Sequence, residues 1–218
     1  MHSTTKIQNF SAAILAGGKN SRFKGINKSF LKFEDQYIID RILNILSEIF
    51  SEIIIVSNQK ELYNYCTKAR KISDTYTEIG PLGGIHAALQ NSSFENVFIV
   101  SCDMPFLNNT LIMNQIDFHN KNKSDITIPV VNNFKEPLHG IYNKNILTTL
   151  DNYILTSGNY KIRGLFELVN VAYFKVKDLE ENILAFTNIN NPEDYNYFLK
   201  KSKNENNPTD QTDQSRIY

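Results

Sequence analysis

The chain has 218 residues, 41% hydrophobic and 21% charged, with 23 basic and 23 acidic side chains and a formal net charge of zero. That length suffices for one domain with a well-buried core, and the balanced charge argues against a dominant non-specific nucleic-acid surface. No run approaches the ~18 apolar residues of a membrane span, the first ten residues lack the apolar stretch of a secretory signal, and Cys66 and Cys102 show no CxxC or histidine pattern, so a cytoplasmic protein with reduced thiols is expected.

Residues 10–15 (FSAAIL) are a short, continuously apolar run that stops at Gly17-Gly18, the pattern of a strand buried on both faces of a parallel sheet. Residues 36–50 place Ile38, Ile39, Ile42, Leu43, Ile45, Leu46 and Ile49 on a broad helical stripe, and residues 52–57 contain IIIV, a second buried strand. Residues 59–70 read as a helix and 71–73 as a short edge strand. Gly80-Pro81-Leu82-Gly83-Gly84 breaks the chain and opens a helix to about Asn91. Residues 96–101 (NVFIVS) are a third buried strand, ending at Cys102-Asp103-Met104-Pro105. A helix over 107–120, a strand over 125–131, a turn at Asn132-Asn133, a strand over 137–142 and a helix over 144–154 follow. Two weaker strand patterns lie at 171–176 and 183–188, with a last helix over 192–201. The alternation over the first 130 residues predicts right-handed βαβ units and a mostly parallel sheet within one domain, 1–201. Residues 202–218 are almost free of apolar side chains and are expected to be a disordered tail.

In an open α/β sheet, ligands bind beyond the carboxyl ends of the strands, and three breaks fall there. The first runs from Leu15 through Ala16, Gly17 and Gly18 to Lys19, Arg22, Lys24 and Lys28. Adjacent glycines let a phosphate approach the backbone, and the cations add positive charge. The pattern is neither GxGxxG nor GxxxxGK[ST], so neither a nicotinamide site nor a Walker ATPase is indicated; a βα turn with solvated lysines would look similar. The second is Asp103, directly after a buried strand. Beside a polyphosphate its carboxylate needs a bridging cation, which Mg²⁺ supplies, although an aspartate here could instead cap the following helix. The third is Asp74 followed by the glycine pair of 80–84, a helix opening suited to a planar or anionic group, or else a plain loop-to-helix turn.

LAGGKNSRFKGINK, DTYTEIGPLGG and CDMP, in this order, resemble the molybdenum cofactor guanylyltransferase family, and EPLHGIY (136–142) and TNINNPEDY (187–195) resemble its later segments. The similarity runs from about residue 11 to 200. It implies a Rossmann-like three-layer nucleotidyltransferase fold with a mostly parallel mixed sheet. It implies that Leu15, Ala16 and Gly17 contact GTP, Lys28 binds phosphate, Asp74 touches the nucleoside and Asp103 holds Mg²⁺, with Arg22 as the family's loop arginine. Arg22, Lys28 and Asp103 would then carry catalysis. The reaction implied is transfer of GMP from GTP to the terminal phosphate of molybdenum-loaded molybdopterin, with loss of pyrophosphate. Cofactor-insertion proteins and molybdoenzymes would be downstream partners, with no nucleic acid and no membrane involved. The family's methionine after the loop arginine is Phe23 here. Its asparagine after the second strand has Asn58 nearby but shifted, so that position carries no assignment. Asn188 and Asn190 match family positions near the pterin, and Asn159, Lys161 and Arg163 could meet it or form a solvated loop. His139 reads as a structural histidine rather than a site residue. A cytidylyltransferase of the same fold, a sugar-phosphate nucleotidyltransferase and a catalytically silent GTP-binding module are the alternatives. The extra glycine at 18 favours the larger purine over the first of these.

Overall fold

The computed structural model describes residues 6–17, 27–33 and 35–206, with backbone only for 201–206. The strands in chain order are β1 (Ile7–Leu15), β2 (Lys32–Phe33), β3 (Gln36–Tyr37), β4 (Phe50–Val56), β5 (Arg70–Ile72), β6 (Asn96–Ser101), β7 (Ile126–Val131), β8 (Phe134–Lys135), β9 (His139–Asn143) and β10 (Val171–Lys175). The helices are α1 (Ile38–Ile49), α2 (Pro81–Asn91), α3 (Asn109–Asn122), α4 (Leu147–Thr156), α5 (Ile162–Leu165), α6 (Glu180–Leu184) and α7 (Pro192–Asn206). The main sheet has the order β10-β7-β9-β6-β1-β4-β5, with β8 paired to β7, while β2 and β3 form a separate hairpin. β1 runs parallel to β4 and β6, β4 to β5 and β10 to β7; β9 runs antiparallel to both β6 and β7. The sheet is therefore mixed and mostly parallel.

β1 shows why the fold has three layers. Successive side chains of a strand point to opposite faces. Phe10, Ala12, Ile14 and Ala16 join the core under α1 and α3, whereas Ala13 and Leu15 join the core under α2 and α4. A strand with both faces covered must be apolar throughout, as FSAAIL is. Helix α1 buries Ile38, Ile39, Ile42, Leu43, Leu46 and Ile49 along one stripe, each side chain contributing roughly 1.5–3 kcal/mol of transfer free energy. The Asn132-Asn133 turn has φ of 48° and 66°, the left-handed pair that a two-residue hairpin between β7 and β8 requires. Among the described residues no helix is long and apolar enough to cross a membrane.

Three expectations needed correction. Residues 59–70 hold only a short 3₁₀ turn, Lys60–Tyr63, instead of a helix. Tyr63, Cys66 and Ala69 are drawn into the core, and Asn64 and Thr67 favour a helix too weakly to resist. Residues 183–188 form no strand: α6 ends at Leu184, after which Ala185 and Phe186 pack against Leu111 and Val131. The final helix runs to Asn206, beyond the predicted end at 201; residues 207–218 lie outside the described residues.

Candidate active site

The ends of β1, β4 and β6 meet at one edge of the sheet, and backbone pairing continues past them. The Ala16 N–H donates to the Val56 carbonyl at 2.9 Å, the Cys102 N–H to the Leu15 carbonyl at 3.1 Å, and the Ser101 N–H to the Leu138 carbonyl at 3.1 Å. These bonds hold Leu15, Ala16 and Gly17 against the start of the Cys102-Asp103 turn. Gly17 faces open space, with nothing within 4 Å of where a Cβ would stand. Arg22 lies outside the described residues, as do Gly18, Lys19, Phe23 and Lys24.

Lys28 and Asp103, 75 positions apart, meet as an ion pair: Lys28 Nζ stands 3.2 Å from Asp103 Oδ2, with both side chains under one-fifth exposed. The other carboxylate oxygen, Oδ1, accepts from the Ser101 hydroxyl at 2.6 Å. Lys28 Nζ also donates to Asn190 Oδ1 at 3.2 Å. Asn190 arrives because the Ile189 N–H donates to the Asp103 carbonyl at 2.9 Å, docking residues 188–190 on the turn. At an effective dielectric of about 20, a pair at 3.2 Å has a Coulomb attraction of about 5 kcal/mol before desolvation is set against it.

Beside this pair opens a cleft of about 710 Å³ lined by Leu15, Ala16, Gly17, Asn58, Asp74 and Gly80, among others. Asp74 follows β5, and its N–H donates to Asn58 Oδ1 at 3.1 Å. Its carboxyl group is half-buried and burial raises its pKa, so it faces the cleft short of solvation. The far wall is the start of α2. Gly80 is its N-cap with φ 68° and ψ −147°, a conformation open to glycine alone without strain, and Pro81 takes the first helical position that its missing N–H suits. Gly83 lies under the loop: a Cβ there would sit 2.2 Å from the Tyr76 carbonyl.

Among the described residues, no cluster of three or more His, Cys, Asp or Glu is placed to hold a metal. The oxygens converging here (a carboxylate, a hydroxyl and an amide carbonyl) suit a hard cation that takes its remaining ligands from phosphate and water. Burial pushes the Cys102 thiol up to about 11, so it stays neutral and is no nucleophile. His139 is fully buried between Phe98 and Phe186 and is structural, as expected. Asn159, Lys161 and Arg163 do not line the cleft; Lys161 is the N-cap of α5 and Arg163 lies within it. Asn188 turns its amide to the Phe186 carbonyl at 3.4 Å. Sequence reasoning missed Ser57, Gln59, Glu78, Asn27, Ser101 and Leu138 as lining residues, and left Asn58 unassigned. Ser101 and Asn27 adjoin assigned positions and could have been found that way, whereas Leu138 arrives only through the antiparallel return of β9.

A profile of the family described as MobA-like NTP transferase domain matches residues 12–173. A probable molybdenum cofactor guanylyltransferase of Clostridium perfringens (strain 13) is 37% identical over 198 residues, covering 88% of this chain and 98% of the relative. One from Natranaerobius thermophilus is 38% identical over 197 residues, covering 85% and 93%. The crystal structure of molybdopterin-guanine dinucleotide biosynthesis protein A from Archaeoglobus fulgidus superposes with a TM-score of 0.77 at 27% identity, covering 88% of this chain and 98% of that one.

Proposed function

The chain belongs to the MobA-like NTP transferase family, and from that premise we propose that it transfers GMP from GTP to the terminal phosphate of molybdopterin. A phosphate oxygen of the acceptor forms a bond to the α-phosphorus of GTP, the bond from that phosphorus to the bridging α–β oxygen breaks, and pyrophosphate leaves. The observation that carries this reading is the Lys28–Asp103 pair, which does not itself line the cleft but adjoins it through Asn27 and Ser101, two of the lining residues. Phosphoryl transfer needs positioning and charge neutralisation more than covalent chemistry. The reading assigns Lys28 and Arg22 to the phosphates and Leu15, Ala16 and Gly17 to close backbone contact with the nucleotide. Asp74 takes the nucleoside, with Asn58 fixing the backbone before it.

The family's chemistry calls for a divalent cation, taken here as Mg²⁺, which when bound would neutralise phosphate charge. Asp103 would hold it, and the Ser101 hydroxyl keeps that carboxylate aimed. Lys28 pairs with Asp103 and would turn to the phosphates when nucleotide enters. The incoming phosphate is already anionic, so no protein base is required.

The test is a panel of GTP, CTP, ATP and UTP with molybdopterin as acceptor, scoring pyrophosphate and the dinucleotide product. GTP is expected to be used at least tenfold better than the others; a preference for CTP would replace the assignment with a cytidylyltransferase.

A further inference from the structure

Tyr63 belongs to the 3₁₀ turn that replaces the expected helix, 34 to 47 positions from the residues its hydroxyl meets. Its side chain is fully buried, among the largest that are. The buried end of the ring is polar and every partner there belongs to the nucleotide edge. The phenol oxygen accepts from Asn27 Nδ2 at 3.1 Å and lies 3.0 Å from Ser29 Oγ and 3.5 Å from the Ala16 carbonyl, one of which receives its proton. Asn27 and Ser29 are the two neighbours of Lys28, and Asn27 also N-caps its turn by accepting from the Ser29 N–H at 3.0 Å. Ala16 belongs to the glycine turn. One hydroxyl thus meets both flanks of Lys28 beside the end of β1, and ties them to it when the Ser29 hydroxyl donates and the phenol proton goes to the Ala16 carbonyl, while the ring packs on Phe30 at 5.2 Å between centroids.

We propose that Tyr63 is a positioning residue whose hydroxyl sets the place of Lys28 relative to the glycine turn, and so the affinity for the triphosphate. A long, flexible lysine is useful to a phosphate only when its Cα is held, because the entropy of fixing the chain otherwise offsets the contact. Asn27 and Ser29 fix that Cα from either side, and Tyr63 fixes both. The hydroxyl is buried, so removing it takes from the Asn27 amide and the Ser29 hydroxyl the one group they share.

The proposal rests on the assignment of Lys28 to phosphate, and the experiment separates the two. Tyr63→Phe deletes one oxygen and keeps the ring against Phe30. GTP dissociation constants from calorimetry and steady-state KM values would be measured for Tyr63→Phe, Lys28→Met and the double variant, with thermal melting as the check on folding. Tyr63→Phe is expected to raise the dissociation constant and KM for GTP about tenfold and leave KM for the pterin acceptor unchanged. In the Lys28→Met background it is expected to add less than twofold, since the two act through one contact. An equal tenfold loss in both backgrounds, or no loss in the Lys28-containing protein, overturns the proposal. If Lys28→Met itself leaves GTP binding unchanged, the phosphate assignment falls first and the proposal falls with it.

Discussion

Acidification from pH 7 to pH 5 should weaken the fold before most carboxylates titrate, because two histidines are buried in neutral form. His119 and His139 have their pKa lowered by burial to about 4, from an ordinary 6.5. The hydrogen bonds explain why neither takes a second proton. His119 Nε2 meets Asn96 Oδ1 at 3.0 Å and so carries the proton, while Nδ1 faces the Thr127 hydroxyl at 2.9 Å. His139 Nδ1 meets Gln115 Oε1 at 3.2 Å, and its Nε2 has no partner among the described residues, so a proton there would be charged and unsolvated. The unfolded chain takes up these protons near pH 6.5 and the folded chain only near 4. Stability is therefore full above 6.5 and lost as the pH falls toward 4, each histidine contributing a loss of about 2 kcal/mol at pH 5. Asp74 and Glu136 have raised pKa values through burial and act oppositely, offsetting part of the loss. Urea unfolding at pH 7 and pH 5, at fixed ionic strength, should show a fall of at most about 4 kcal/mol, the sum of the two histidines before that offset. Equal stability at the two pH values, or the ring protons of His119 and His139 titrating near 6.5 in the NMR spectrum of the folded protein, would refute the reasoning.

Asp103→Asn keeps the shape of the side chain but removes its charge; kcat should drop about 10³-fold with folding intact, and a loss under tenfold would remove Asp103 from the mechanism. Asp74→Asn should raise KM for GTP tenfold or more, as loss of a hydrogen bond to a charged group implies, with little change in kcat. Chelation by EDTA should stop pyrophosphate release and Mg²⁺ restore it, as a cation that acts on the phosphates requires. Glu52 accepts from Ser11, from the Ser93 N–H and hydroxyl and from Arg70, and these bonds outweigh desolvation to lower its pKa; Glu52→Gln should therefore cost stability at pH 7 and much less near pH 3, measured by denaturant midpoints.

The buried strands, the amphipathic α1, the Asn132-Asn133 hairpin and the three chain breaks of the candidate site were all legible in order along the chain. Each depends on neighbours within a few residues: apolar continuity for β1, β4 and β6, helical spacing for α1, and adjacent glycines or a post-strand carboxylate for the breaks. Where tertiary contacts override local preference, the sequence misleads. Residues 59–70 carry helical periodicity, yet burial of Tyr63 against Phe30 and the hydroxyl's ties to Asn27, Ser29 and Ala16 shorten them to a single 3₁₀ turn. By itself the sequence determined the α/β class, the family and the chain breaks that end at one edge of the sheet, because short-range patterns encode them. Only the tertiary structure decided that Lys28 meets Asp103 and Asn190, that Leu138 reaches the cleft and that the Tyr63 hydroxyl meets Asn27 and Ser29, because separations of 34 to 162 positions are closed by packing that no local pattern records.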